Sequence, residues 1–348
     1  MANRDVLAIG TSAGGVEALL FLAGRFPRNF PASILITIHL PSYYRSNLDL
    51  VLSNSGPLLA TFARDGESLE RSRIYIAPPE RHLIVDGNRL WLGNGPRENR
   101  ARPTIDPMLR STAVCCCART IGVILTGALG DGAAGLSALS QCSGLTVVQD
   151  PADAMFQEMP ATALGRVKPD HVVPLSAMPA LLEKLVKEPA AQAKPVPWNV
   201  KYEVEIAKGR AMTMEDMDRM GRRSVLTCPD CGGTMWEVED ANLVRYRYHV
   251  GHPYTSELMG IALDETLRRT LATALRTLDE RVALARKLST DARQRGHAQL
   301  AGSWATEAEE FEQQANSIRA SIKGIDEMVA RMEADAEIAP SEAERMTG

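Results

Sequence analysis

No stretch of the 348-residue chain approaches the roughly 18 consecutive apolar residues that a membrane-spanning helix needs. The opening MANRDVLAIG lacks a basic segment followed by a long apolar core, so no signal peptide is expected. Excess positive charge is missing too: the net charge is −4, which excludes bulk attraction to nucleic acid or an anionic membrane surface. Nor do the six cysteines form a disulfide framework. Cys115, Cys116 and Cys117 are consecutive, Cys142 stands alone, and only Cys228 and Cys231 have the spacing of metal ligands. These absences point to a cytoplasmic protein. What is present, 45% hydrophobic and 24% charged residues, suffices for one sizeable core with smaller modules attached.

From residue 1 to 187, short β-branched runs alternate with amphipathic segments, the pattern of an α/β doubly wound sheet with helices on both faces. The expected strands are VLAIG (6–10), SILITIH (33–39), RIYIAP (73–78), GVILTG (122–127), LTVVQ (145–149) and HVVPL (171–175). VDGNRLWLG, with Asp86 and Gly87 at a tight turn, predicts an inserted β-hairpin beside the sheet, which would make a mostly parallel sheet mixed. Residues 188–200 hold three prolines without periodicity and read as a linker. A cysteine-containing module is expected at 201–254, a helical hairpin at 255–336 and a flexible tail at 337–348. The hairpin rests on two heptad-like seams. One runs Leu267, Leu271, Ala274, Leu278, Val282, Ala285, Leu288; the other runs Phe311, Ala315, Ile318, Ile322, Ile325, Val329, Met332. Gly296 and Gly302 fall between them, and the same seams would also serve a homodimer.

Ligands of open α/β sheets gather at the carboxyl ends of the strands, so the residues that follow each strand carry the functional information. GTSAGG (10–15) follows the first strand. It departs from the dinucleotide pattern G-x-G-x-x-G by placing Ser12 at the second glycine, and it fits the sharp turn G-x-S-x-G that exposes a serine hydroxyl. His39 ends the second strand, where a nucleotide-binding fold would carry an acidic residue, and Asp131 follows GVILTG. A serine, a base to take its proton and a carboxylate to orient that base make a nucleophilic triad. Taken singly, Ser12 and Asp131 also read as helix N-caps and His39 as an ordinary loop residue.

At this point the chain resembles a known family. GTSAGG, IHLP (38–41), IAPPERH (76–82), GPRENRARPTID (95–106), TGALGDGAAG (126–135) and MFQEMP (155–160) are similar, in order, to the motifs of the chemotaxis protein-glutamate methylesterase (CheB-type) catalytic domain. The resemblance covers residues 4–187. It implies hydrolysis of receptor glutamate methyl esters, with glutamine deamidation as an accompanying activity, by Ser12, His39 and Asp131 without a cofactor. Backbone N–H groups of Ala13 and Ala128 are then the expected oxyanion donors. The methylated receptor is the expected partner, and Arg97, Arg100 and Arg102 form a cationic cluster suited to an acidic substrate surface. The family commonly has Met and Gly where this chain has Ala128 and Leu129, and Thr where it has Ala13. Chemotaxis members usually carry a receiver domain ahead of the catalytic sheet; here the sheet is expected from residue 5, without that form of phosphorylation control.

In the C-terminal half, Cys228 and Cys231 followed by His249 and His252 offer four ligands suited to structural Zn²⁺, and CPDCGG resembles a zinc-ribbon knuckle. In similar extensions a cysteine more often stands at Tyr248. A metal-free hairpin with two reduced thiols is the alternative, and alternating Arg245, Tyr246, Arg247 and Tyr248 also describe a plain strand. Two rivals to the enzyme follow from the same residues: a non-catalytic signalling scaffold that keeps the pocket as a binding surface, and a nucleotide-binding enzyme, which Ser12 and His39 disfavour.

Overall fold

The six expected strands all form; five bury a nearly continuous apolar run between two layers of helices, and the sixth, at the sheet edge, is only partly covered. In chain order the first elements are β1 (Val6–Thr11), α1 (Gly15–Ala23), β2 (Ser33–Ile38), α2 (Leu48–Ser55), β3 (Leu59–Phe62) and β4 (Arg73–Ile76). The hairpin β5 (His82–Asp86) and β6 (Arg89–Gly93) follows, then α3 (Ile105–Cys115), β7 (Thr120–Ile124), α4 (Ala133–Gln141), β8 (Leu145–Gln149), α5 (Glu158–Arg166), β9 (His171–Val173) and α6 (Met178–Leu185). The computed structural model describes residues 3–39, 46–240, 243–249 and 251–338. Leu40 and Pro41 of the IHLP motif, and residues 339–348 of the tail expected at 337–348, lie outside the described residues, while 337 and 338 are helical.

Seven strands make one sheet in the order β3-β4-β2-β1-β7-β8-β9, and every pairing in it is parallel. The hairpin pairs only with itself, so the sheet is not mixed by it. The short β3, which the sequence pattern did not announce, is an edge strand with only Ala60 buried. Alternate residues of β1 serve opposite layers: Leu7 and Ile9 pack with Ala18, Leu19 and Leu22 of α1, and Val6 and Ala8 pack with Met108 and Leu109 of α3. Strand order reverses between β1 and β7, which makes the carboxyl ends of β2, β1 and β7 the switch point of the fold.

The chain continues as α7 (Trp198–Lys208), α8 (Met214–Met220), β10 (Arg222–Thr227), β11 (Thr234–Asp240), β12 (Leu243–Tyr248) and β13 (Pro253–Thr255). The last four form an antiparallel sheet in chain order. Met1–Leu258 forms one unit and Met259–Gly348 a second. The segment expected as a linker, 188–200, therefore lies inside the first unit, and its last residues are the first turn of α7. Ile84 of the hairpin packs with Val204 and Ala207 of α7, which anchors that helix to the sheet domain.

The second unit holds the expected helical hairpin, built from all but the first three residues of α9 (Ser256–Gln294) and from α10 (Ala298–Ile338). The chain reverses at Gly296, whose φ of 80° suits glycine, while Gly302 lies within α10. Val282, Ala285, Ala301, Ala308 and Ala315 bury the seam, and Arg281–Glu307 and Arg286–Glu312 pairs cross it.

Candidate active site

Ser12 stands just after β1, in a turn that Gly14 makes with φ 71°, a backbone region costly for other residues. The N-cap of α1 is Gly14, so Ser12 does not cap that helix, and its hydroxyl is turned elsewhere. Ser12 Oγ lies 3.0 Å from His39 Nδ1, and His39 Nε2 lies 2.9 Å from Asp131 Oδ2. With Nε2–H donating to the carboxylate, Nδ1 is left to accept the serine proton. The three expected residues thus meet in one hydrogen-bonded row across the ends of β1, β2 and β7. Asp131 likewise does not cap its helix; Gly132 is the N-cap of α4.

Asp131 is buried, which disfavours its charge, yet its carboxyl is held below the usual range by the hydrogen bond and charge of His39 and by backbone N–H groups at the start of α3. One of these, Ile105 N–H, donates to Oδ2 at 2.7 Å. The N-terminus of a helix that presses on β1 therefore steadies the carboxylate. For His39, burial pulls toward neutrality, but the Asp131 hydrogen bond and the charges of Asp131 and Asp106 prevail and raise its pKa above the ordinary 6.5. Asp106 was not singled out from the sequence. Burial first, and the neighbouring Asp131 second, push its carboxyl up to about 7.

The loop after β7 closes the other side. Ser12 N–H donates to Thr126 O at 3.1 Å, Thr126 Oγ1 donates to Ala13 O at 3.1 Å, and Gly127 N–H donates to Phe156 O at 3.0 Å. Leu129 N–H donates to Glu158 Oε2 at 2.8 Å, and Leu129 itself takes a left-handed φ of 64°. The N–H groups of Ala13 and Ala128, the two expected to face an oxyanion, have no acceptor among the described residues, and neither do those of Gly14, Gly130 and Asp131. Leu129 and Gly130 also line a cleft of about 240 Å³ with Thr162 of α5, Thr255 of β13 and Leu258. Beside the serine turn, Met155 is 66% exposed.

Arg97 and Arg102 are both paired with Glu80, at 2.9 and 3.3 Å, and Arg102 also donates to the carbonyls of Asn94 and Gly95. Arg100 also has interaction partners. One carboxylate is thus shared by two of the three guanidinium groups, and Arg97 remains half exposed. His82 is buried and kept neutral by desolvation; its Nε2–H donates to Pro96 O at 2.9 Å, and Thr104 approaches Nδ1 at 3.3 Å. The cysteine triplet ends α3, and burial pushes the Cys116 thiol up to about 12, which makes it unreactive.

Away from these residues, Cys228, Cys231 and His252 bring their ligand atoms within 4.8 Å of one another. Two thiols and an imidazole at this spacing fit a zinc ion. His249 is not in the group: its ring meets Tyr248 edge-on at 4.2 Å between centroids and faces Trp236 at 6.5 Å. The fourth ligand expected from H-x₂-H is thus turned into the packing of the small sheet.

A doubly wound α/β sheet carrying serine, histidine and aspartate in one row at its switch point defines the class of this protein. Within that class the chain belongs to the CheB methylesterase family, whose pattern matches residues 7–182. A protein-glutamate methylesterase/protein-glutamine glutaminase of Methanosarcina mazei is 32% identical over 192 residues, 53% of this chain and 52% of the relative. A relative from Leptospira interrogans is 32% identical over 184 residues that make up 95% of its length. The crystal structure of the Thermotoga maritima CheB methylesterase catalytic domain superposes with a TM-score of 0.50 at 28% identity, covering 53% of this chain and 99% of that one. The chain spans about half the length of several of the curated relatives it matches.

Proposed function

We propose that the protein hydrolyses glutamate methyl esters on a chemoreceptor-like signalling protein, with Ser12 as nucleophile, His39 as base and Asp131 as its orienting carboxylate. The observation that carries this reading is the continuous row from Ser12 Oγ through His39 to Asp131 Oδ2 in a CheB-family domain. His39 Nδ1 takes the Ser12 proton as Oγ attacks the glutamyl carbonyl, and the oxyanion meets the N–H groups of Ala13 and Ala128. The carbon–methoxy bond breaks as His39 returns its proton to the departing methoxy oxygen, which leaves as methanol. Water then attacks the acyl ester with His39 again as base, which frees the glutamate carboxylate and restores the Ser12 hydroxyl. A glutamine side chain entering the same site would release ammonia instead. A fluorophosphonate probe tests the reading directly: it should label the wild-type protein at Ser12 and leave Ser12→Ala unmodified. Absence of labelling in both favours the scaffold alternative.

For the small antiparallel sheet the proposed ligand is one structural Zn²⁺ held by Cys228, Cys231 and His252, supported by the donor set and its spacing. The ion would tie the β10–β11 turn to the segment after β12 and takes no part in the hydrolysis.

A further inference from the structure

Behind the catalytic row lies a second set of charges that this reaction does not use. Glu98, Arg110, Glu203, Arg245 and Arg247 are each at most 5% exposed. They come from the loop before α3, from α3, from α7 and from β12. Arg110 pairs with both Glu98 and Glu203, and Arg245 Nη2 donates to Glu203 Oε1 at 2.7 Å. Arg247 Nη2 lies 3.5 Å from Glu203 and 3.7 Å from Glu98. Among the described pairs two carboxylates interlock three guanidinium groups, and Arg245 has a further partner. Burying such a set is costly, and well-packed apolar residues would usually stabilise the fold as well.

Asp106 joins this cluster to the catalytic row. It sits one helical turn before Arg110 and directly after Ile105, whose N–H holds Asp131. Its Oδ1 accepts Gly135 N–H at 2.6 Å, which fastens the start of α4, three residues beyond Gly132, onto α3. The two helices approach so closely there that a Cβ on Gly135 would lie 2.9 Å from Asp106 O. Asp106 therefore links this arginine–glutamate cluster to the carboxylate that orients the base.

We propose that Asp106 is a positioning residue of the catalytic row, and that the arginine–glutamate cluster completed by α7 and β12 acts on His39 through it. The inference rests on the esterase reading of Ser12, His39 and Asp131. The groups bearing on Asp106 are Asp131 from the loop before α4, Arg110 on its own helix, Glu98 from the preceding loop and Arg245 from β12. When Asp106 is neutral, Asp131 is the carboxylate that faces His39 alone. When Asp106 ionises, a second negative charge makes His39 more basic. Arg110 and Arg245 favour the ionised form, so the C-terminal sheet adjusts how readily His39 can accept the serine proton.

The test is an NMR pH titration of His39 in the full-length protein, its resonance assigned by comparison with His39→Gln. Asp106→Asn keeps an acceptor for Gly135 but cannot ionise, and it should move the His39 midpoint down by about half to one pH unit. Arg245→Gln lets Asp106 stay neutral to higher pH and should move the midpoint down as well, with no further effect when combined with Asp106→Asn. A direct effect of losing the Arg245 charge would move it up. An unchanged midpoint in Asp106→Asn overturns the proposal, as does an equal Arg245→Gln effect in both backgrounds; if Arg245→Gln does not fold, Asp106→Asn alone decides. Fluorophosphonate labelling of the wild type separates the two readings. A shifted His39 without labelling sinks the esterase reading, whereas labelling with an unmoved His39 sinks only the role of Asp106.

Discussion

In the proposed reaction His39 must be neutral to serve as the base toward Ser12, and its pKa is raised because Asp131 and Asp106 outweigh the effect of burial. Turnover should therefore rise with pH through a midpoint above that of free imidazole. Asp131→Asn removes the largest favourable contribution, so kcat should fall by about 10³–10⁴-fold and the midpoint should move to lower pH; a kcat–pH profile checks both. Glu203 behaves differently. Burial opposes its charge, but Arg110, Arg245 and Arg247 hold its carboxyl far below the ordinary range. Its contribution to stability is thus full above the unfolded carboxylate pKa and is lost as pH falls through the depressed folded value. Glu203→Gln should destabilise by about 3–5 kcal/mol near neutrality, with the gap to wild type narrowing below about pH 4; urea melts at several pH values would show it. Ser12, His39 and Asp131 were legible because each follows an apolar run that ends at a strand terminus. Asp106 was not, since one acidic residue on a helix looks the same in sequence whether it faces water or the interior. Arg245 and Arg247 were read as one face of a strand, and it is the face that burial selects against the usual preference.

Among the elements, the strands of the sheet were readable from their apolar runs, and the hairpin from its D-G turn. Edge strand β3 was missed because Leu59, Thr61 and Phe62 are at least partly exposed and give no buried run. The loop that carries Leu129 shows a cost the sequence only hinted at. A leucine at φ 64° is strained by about 1 kcal/mol relative to glycine, so Leu129→Gly should raise the melting temperature by a few degrees while restoring the residue usual in the family. A lower melting temperature would mean that Leu129 gains more from packing than its backbone loses. In the small sheet the C-x₂-C and second histidine were legible, but which histidine turns toward the thiols depends on the packing of Trp236 and Tyr248. Metal analysis of protein purified without chelator should find one zinc per chain, lost in Cys231→Ser and retained in His249→Ala. Zinc lost in His249→Ala would restore the four-ligand reading.

At the scale of the whole molecule, the proline-rich segment 188–200 suggested a tether, whereas α7 and the small sheet belong to the same unit as the catalytic sheet. No local pattern announces this, because the joining residues are far apart in sequence: Ile84 packs on Val204 and Ala207, Arg110 meets Glu203, and Glu203 meets Arg245. A chain ending at Leu258 keeps that cluster whole and should label with fluorophosphonate as the full-length protein does. A chain ending at Lys187 strips Glu203, Arg245 and Arg247 from Arg110, and should aggregate or lose labelling; equal behaviour of the two would show the cluster to be dispensable. The central claim concerns the reaction itself, and methanol release from a methylated receptor fragment measures it most directly. Full-length wild-type protein should release methanol with turnover and Ser12→Ala should release none above buffer. Release by both proteins alike, or by neither, would contradict the account.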